Sequence, residues 1–88
     1  MSSLGVRILV ADDDALVRRS MCEVLSFEGY SCTAVSNGQE ALQRLKEATF
    51  DILISDMKMP EMEGLDLLRA VRVSFPAVAV IMVTGYSS

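Results

Sequence analysis

Asp56 stands at the point where a buried strand would end. The residues Ile52–Ile54 form an apolar run without polar alternation, which is typical of a strand covered on both faces. Pro60 follows shortly afterwards and prevents the strand from continuing within a sheet. Since solubility alone does not explain an acid at the end of a buried strand, we take Asp56 as the candidate reactive residue.

Two other strand ends carry groups capable of chemistry. Asp12 and Asp13 follow the apolar segment Val6–Ala11, and Thr84 ends the apolar segment that begins at Ala77. The carboxyl ends of parallel strands share one edge of a sheet, so these groups are expected to lie near the candidate acid. Carboxylates brought so close together need either a raised pKa or a bound divalent cation, and a set of oxygen ligands favours Mg²⁺.

A site of this kind can accept a phosphoryl group. With Mg²⁺ neutralising the charge on the phosphoryl oxygens, one carboxylate can act as the nucleophile, and the Thr84 hydroxyl can donate a hydrogen bond to a phosphoryl oxygen. The ordinary alternative is that each acid caps a helix or forms a turn, as Asp14 does before the next helix. That explanation suits any single acid, but it does not account for reactive groups at three strand ends.

The elements that must position these residues alternate along the chain. Apolar segments predict four strands, and amphipathic segments with end signals such as Gly29 predict three helices. The strands are predicted at Val6–Ala11, Tyr30–Val35, Asp51–Ser55 and Ala77–Thr84, and the helices at Ala15–Glu28, Gln39–Ala48 and Leu65–Ser74. The order βαβαβαβ implies an α/β fold, a doubly wound parallel sheet with right-handed crossovers and helices on both faces.

Composition limits the classes of function. The chain has 88 residues, 51% of them hydrophobic, which is enough for one domain with one core. A net charge of −4 argues against binding nucleic acid or an anionic membrane through this segment. No apolar run approaches the ~18 residues of a spanning helix, and no signal-peptide pattern opens the chain, so we expect a cytoplasmic protein without a membrane association.

The two cysteines show no pattern of a functional pair. Cys22 falls in a predicted helix and Cys32 in a predicted strand, and their spacing suggests neither a metal site nor a redox pair. We therefore expect both to be reduced, partly buried small apolar side chains.

Taken together, the motifs resemble the receiver domain of bacterial two-component response regulators. The resemblance is carried by three segments and covers nearly the whole chain. These segments are Asp12-Asp13 after an apolar strand, Asp56-Met57-Lys58-Met59-Pro60 followed by Glu61-Met62-Glu63-Gly64, and Val83-Thr84-Gly85. The resemblance implies a flavodoxin-like, chemotaxis-regulator-like fold with strand order 2-1-3-4.

The resemblance also implies roles for individual residues. Asp56 would be the phosphoacceptor, supplied by a sensor histidine kinase, a phosphotransfer protein or a small phosphodonor. Asp13, Asp56 and the backbone carbonyl of Lys58 would bind Mg²⁺, with Asp12 acting mainly through a bound water. Thr84 would be the switch hydroxyl, and the chain would be a phosphoacceptor rather than an enzyme.

The chain departs from the family pattern after the fourth strand. Family members continue with a helix, a fifth strand ending in a Lys that pairs with the phosphoryl group, and a last helix. Lys46, Lys58 and Arg7 are not placed to substitute for that Lys. We therefore expect residues 1–88 to form a single C-terminally truncated receiver domain. If these residues are the full length, we expect an oligomer or a swapped assembly that pairs through an exposed fourth strand, and a poor phosphoacceptor.

Two other classes of function are compatible with part of the pattern. An Asp-nucleophile phosphohydrolase of the haloacid-dehalogenase type also places an Asp at a strand end with Mg²⁺, but it wants a second acid two residues later, where this chain has Lys58. A protein-interaction module with a silent acidic site is the other alternative.

Overall fold

Four strands and three helices alternate along the chain, as the sequence predicts. The computed structural model describes residues 5–58, 62 and 64–83. The strands are β1 (Arg7–Ala11), β2 (Ser31–Val35), β3 (Ile52–Asp56) and β4 (Ala79–Val83), and the helices are α1 (Ala15–Phe27), α2 (Gly38–Glu47) and α3 (Gly64–Ser74). Predicted and observed boundaries differ by no more than two residues, because the turn residues between the elements mark their ends locally.

The four strands form one parallel sheet with the order β2-β1-β3-β4. In the centre of the sheet Leu9 of β1 lies opposite Thr33 of β2 on one side and Leu53 of β3 on the other. Leu53 in turn pairs with Val80 of β4. The predicted fold class and strand order are therefore confirmed.

One face of the sheet carries the main hydrophobic core. Alternate side chains of β1 and β3, such as Leu9 and Leu53, point to this face and are completely buried. The cluster comprises Leu9, Ala11, Val35, Ala41, Leu45, Phe50, Leu53, Leu67 and Val71. Helices α2 and α3 supply its outer layer, so this core fixes β3 and the residue at its end.

The opposite face is covered only in part by α1. No residue of α1 is buried. Val24 is 61% exposed and Phe27 is 88% exposed, although Ile8 and Val10 of β1 are buried. The apolar residues that recur at helical spacing along α1, among them Val17 and Val24, stay exposed because little of the described part of the molecule packs against them.

The helical spacing of Leu65, Leu68 and Val71 predicts the inner face of α3, and the structure confirms it only in part. Val71 is completely buried, but Leu65 is 46% exposed and Leu67 is completely buried in its place. The helix begins at Gly64, whose close packing against β3 sets which side of the first turn faces the sheet. That packing distance is a tertiary property and leaves no mark on the hydrophobic periodicity.

A disulfide bond joins Cys22 of α1 to Cys32 of β2. The expectation that both cysteines are reduced and unrelated is therefore wrong. Their Cα atoms lie 5.5 Å apart, within the range that a disulfide spans. The pairing arises because α1 is the crossover between β1 and β2, which brings the middle of the helix alongside the second strand.

The last strand leaves an apolar surface. Among the described residues β4 pairs only with β3, so its other edge has no strand partner. Ile81 and Val83 lie on the face that α1 leaves open, and they are 49% and 42% exposed. None of the helices in the described ranges has the length and apolar character needed to cross a membrane.

Candidate functional site

Three of the predicted site carboxylates lie together at the carboxyl edge of the sheet. Each of Asp12, Asp13 and Asp56 offers a carboxylate oxygen, and these oxygens lie within 4.8 Å of one another. Asp12 and Asp13 follow β1, and Asp56 is the last residue of β3. Thr84, the predicted switch hydroxyl, lies outside the described residues.

Backbone contacts hold Asp12 in place. Its N–H donates to the carbonyl of Val35 at 3.2 Å, which ties the end of β1 to the end of β2. Its carboxylate accepts a hydrogen bond from the N–H of Asp14 at 2.9 Å. Nη1 of Arg18 donates to the Asp12 carbonyl at 2.8 Å, so the first turn of α1 also fastens this residue.

The turn into α1 begins at Asp14, as predicted. The Asp14 carboxylate accepts hydrogen bonds from the N–H groups of Leu16 at 2.9 Å and Val17 at 3.3 Å. These are donors that a helix cannot satisfy internally at its first turn. Asp14 is therefore a helix cap, while its neighbours Asp12 and Asp13 remain available to the site.

Asp56 is fixed through its backbone and one local hydrogen bond. It lies in the sheet opposite Val83 of β4. The Ser55 hydroxyl donates to the Asp56 carbonyl at 2.9 Å, and Ser55 is completely buried. The Asp56 carboxylate accepts a hydrogen bond from the N–H of Lys58 at 3.3 Å, and this bond stabilises the turn that follows β3.

Gly64 brings the start of α3 directly against the end of β3. Its N–H donates to the carbonyl of Met57 at 2.9 Å. A Cβ at this position would collide with the carbonyl oxygen of Asp56, and it would lie only 2.7 Å from the Cα of Met57. Because those neighbours are backbone atoms, only glycine lets the helix approach the end of β3 so closely.

The electrostatics of the cluster follow from crowding of like charges. Burial raises the pKa of Asp12 above its ordinary value of 3.8, and the nearby charges of Asp56, Asp13 and Asp14 raise it further. The hydrogen bond from the Asp14 N–H opposes this rise. Asp12 and Asp56 are half-buried and Asp13 is exposed, and a group of acids crowded in this way is suited to a divalent cation, which would relieve the repulsion.

In the described part of the chain, none of the basic side chains considered as a substitute for the missing Lys makes an ion pair with Asp12, Asp13 or Asp56. Arg7 begins β1 at the opposite edge of the sheet, where its guanidinium lies 5.1 Å from the Phe50 ring. Lys46 is exposed near the end of α2, and Lys58 is exposed beyond β3. Arg18 contacts the Asp12 carbonyl rather than its carboxylate.

Sequence reasoning missed three residues that support the site: Arg18, Ser55 and Gly64. A serine following three apolar residues of a strand was a signal for Ser55, because a buried hydroxyl needs a partner. A glycine at the start of an amphipathic helix was a weaker signal for Gly64. Nothing in the sequence indicates that the Arg18 side chain donates a hydrogen bond to the carbonyl of Asp12, six residues earlier.

Comparison with known proteins gives consistent results. The family model described as the response regulator receiver domain matches residues 8–88. The response regulator receiver protein CpdR of Brucella abortus is 38% identical over 82 residues, which cover 93% of this chain and 68% of that protein. The DNA-binding transcriptional regulator NtrC of Escherichia coli is 39% identical over 80 residues, but the chain spans only 17% of its length.

Solved structures show the same similarity. The response regulator TrrA of Thermotoga maritima, solved in complex with Mg²⁺ and BeF, is 35% identical with a TM-score of 0.87. The match covers 93% of this chain and 71% of TrrA. A second structure, a complex of the histidine kinase ThkA with TrrA, matches with the same identity and TM-score over 94% of this chain and 72% of that chain.

Proposed function

Because the chain belongs to the family of response regulator receiver domains, we propose that it is a phosphoacceptor that receives a phosphoryl group on Asp56. Receiver domains are signalling modules of two-component systems. The observation that carries the proposal is the meeting of Asp12, Asp13 and Asp56 within 4.8 Å at the carboxyl edge of the sheet. Of the three acids, Asp56 is the one that ends β3, an inner strand of the sheet, and we therefore assign it as the nucleophile.

The donor set fits Mg²⁺. It consists of oxygen atoms only and carries negative charge that is only partly compensated, which is what this cation prefers. Asp13 and Asp56 would bind it with the backbone carbonyl of Lys58, and Asp12 would act mainly through a water. When bound, Mg²⁺ supplies neutralisation of the charge on the phosphoryl oxygens. TrrA, a relative with the same fold, was solved with Mg²⁺ and BeF.

The transfer itself requires a nucleophile held in one position. A carboxylate oxygen of Asp56 attacks the phosphorus, an O–P bond forms, and the bond from phosphorus to the donor atom breaks. With a phosphohistidine donor the electron pair of the broken P–N bond stays on the imidazole, which leaves as the neutral ring when its other nitrogen carries a proton. Ser55 and Gly64 keep the Asp56 backbone fixed during this step. Thr84 would then donate its hydroxyl to a phosphoryl oxygen.

The donor would be a sensor histidine kinase or a phosphotransfer protein in the cytoplasm. TrrA is known in a complex with the histidine kinase ThkA, which supports a partner of this class. The net charge of −4 makes binding to nucleic acid or an anionic membrane through residues 1–88 unfavourable, so the output would depend on other surfaces.

Phosphorylation can be tested by intact-mass spectrometry after incubation with acetyl phosphate and Mg²⁺. We expect the mass of one phosphoryl group to be added slowly, since no basic side chain of the described residues lies against the carboxylates in a position to stabilise it. Asp56→Asn should abolish the addition. Asp51→Asn changes an acid at the other end of the same strand region, and it should label like the wild type.

Two outcomes would refute this function. Absence of labelling in the wild type would indicate a silent site, and undiminished labelling of Asp56→Asn would indicate that another residue reacts. Continuous release of phosphate over many turnovers would instead identify a phosphohydrolase.

Within the described residues, one edge of β4 has no strand partner, and we propose self-association as a second property of residues 1–88. Such an edge, next to the exposed side chains of Ile81 and Val83, is a surface on which a second copy can pair. We expect light scattering after size-exclusion chromatography to give a mass above that of the monomer. Ile81→Lys should lower that mass, whereas Val73→Lys, at an exposed position on α3, should not. A monodisperse wild-type monomer would contradict this expectation.

A further inference from the structure

Helix α1 is held to the sheet by little apolar packing. None of its thirteen residues is buried, whereas α2 buries Ala41 and Leu45 and α3 buries Leu67 and Val71. Phe27, in its last turn, is 88% exposed. A covalent link between α1 and β2 therefore contributes a larger share of the attachment here than it would in a well-packed helix.

The disulfide bond between Cys22 of α1 and Cys32 of β2 is that covalent link. Cys22 lies in the middle of α1 and Cys32 is the second residue of β2. Their sequence separation is 10 residues. For a loop of that size, the loss of chain entropy in the unfolded state shifts the unfolding equilibrium by roughly a hundredfold.

The two bonded cysteines lie close to the protein surface. Both cysteines are half-buried rather than enclosed. Cys22 lines a surface groove of about 600 Å³ together with Arg19, Glu23, Ser26 and Phe27. Since thiol–disulfide exchange requires that a thiolate reach one of the sulfur atoms, this groove gives an attacking thiol a route to Cys22.

The helix that the bond fastens also carries contacts to the acidic cluster. The Arg18 guanidinium binds the carbonyl of Asp12, and the first N–H groups of α1 are capped by Asp14. Oxidation or reduction of the two cysteines would therefore change how firmly α1 is attached to β2, and α1 is the helix that supports the turn containing Asp12 and Asp13.

We propose that Cys22 and Cys32 form a reversible redox pair that fastens α1 to β2. In the oxidation step, the thiolate of one cysteine attacks a low-molecular-weight disulfide such as oxidised glutathione, forming a mixed disulfide and releasing one thiol. The second cysteine then displaces the other thiol. The two protein thiols lose two electrons and two protons, and the small disulfide is reduced to two thiols.

The test uses the whole chain, which contains no other cysteine. The protein is equilibrated with mixtures of reduced and oxidised glutathione, trapped with a maleimide, and analysed by intact mass under conditions where intermolecular bonds are visible. We expect the intramolecular disulfide to form and disappear as the glutathione ratio is changed in either direction. A disulfide that never forms, that resists reduction across the whole range, or that forms only between chains would overturn the proposal.

The structural effect is measured on the same samples. Urea unfolding should show an equilibrium constant roughly a hundredfold less favourable to unfolding in the oxidised chain than in the reduced one. Hydrogen exchange of the α1 amides should be slower in the oxidised state. A variant that carries both Cys22→Ala and Cys32→Ala has no thiol left, so its stability and its α1 exchange should not change with the glutathione ratio. Equal stability and equal α1 protection in the two redox states would refute the fastening role.

Discussion

The approach of α3 to the end of β3 leads to a prediction about Gly64. Replacing it with alanine adds a Cβ that would meet the Asp56 carbonyl, would lie 2.6 Å from the Met82 methyl group and would lie 2.7 Å from the Met57 Cα. The methionine methyl can move aside, but the two backbone atoms cannot do so without shifting the end of β3. We expect Gly64→Ala to destabilise the fold and to displace Asp56.

The magnitude follows from two opposing effects. Overpacking of one methyl group against backbone typically costs about 1–3 kcal/mol. Alanine gains up to ~1 kcal/mol over glycine inside a helix, but less at the first helical residue. The expected net loss is therefore about 1–2 kcal/mol, which lowers the melting temperature of a domain this size by roughly 4–15 °C.

Gly38 provides a matched control for the assay. It is also the first residue of its helix, but a Cβ there would meet only the Met62 side chain, the nearest atom being its sulfur at 2.7 Å. Because a flexible side chain can move, Gly38→Ala should lose less stability. Urea unfolding and phosphoryl labelling measure both effects. If Gly64→Ala matches the wild type in both, or if Gly38→Ala is the more damaging variant, the reasoning is refuted.

Three other expectations concern charges and a buried hydroxyl near the site. The raised pKa of Asp12 means that its contribution to stability is complete below its ordinary pKa of 3.8 and is lost as pH rises through its folded pKa. Asp12→Asn should therefore stabilise the metal-free chain at neutral pH but not near pH 3. Urea unfolding at both pH values measures the change in stability, and an equal change at the two pH values would contradict the prediction. Hydrogen bonds from the Ser36 N–H and hydroxyl lower the pKa of Glu40 below 4.5, so its contribution is present above that value and is lost as pH falls through the folded pKa. Glu40→Gln should flatten this acid limb of the stability curve, and an unchanged limb would show that another group produces it. Ser55→Ala removes the hydrogen bond to the Asp56 carbonyl and should cost about 1 kcal/mol in the same unfolding measurement, with slower phosphoryl labelling; full retention of both would exclude a positioning role.

Local signals explain why most of the fold could be predicted from the sequence. Asp14 caps α1, and Gly29, at φ 98°, follows its end, and each position is recognisable from the residue type and its neighbours. The uninterrupted apolar strands imply a parallel sheet covered on both faces, and the alternation of elements limits their connection. The strand order came from the family resemblance rather than from these signals.

Contacts between elements explain what the sequence did not predict. Cys22 and Cys32 pair only because the crossover places α1 beside β2, and the orientation of α3 depends on how closely Gly64 packs. Neither quantity is encoded in hydrophobic periodicity, which reports one element at a time.

The candidate site lies between these two cases. The acids at the strand ends were predictable because a parallel sheet brings its carboxyl ends to one edge, and the structure brings Asp12, Asp13 and Asp56 together there. What holds them together is a set of contacts to the backbone: the Val35 carbonyl and the Arg18 guanidinium bind the backbone of Asp12, and the Ser55 hydroxyl binds that of Asp56. Because these contacts are made through the backbone, they keep the three carboxylates close despite their mutual repulsion, and the carboxylate oxygens meet at the edge of the sheet where the proposed cation would bind.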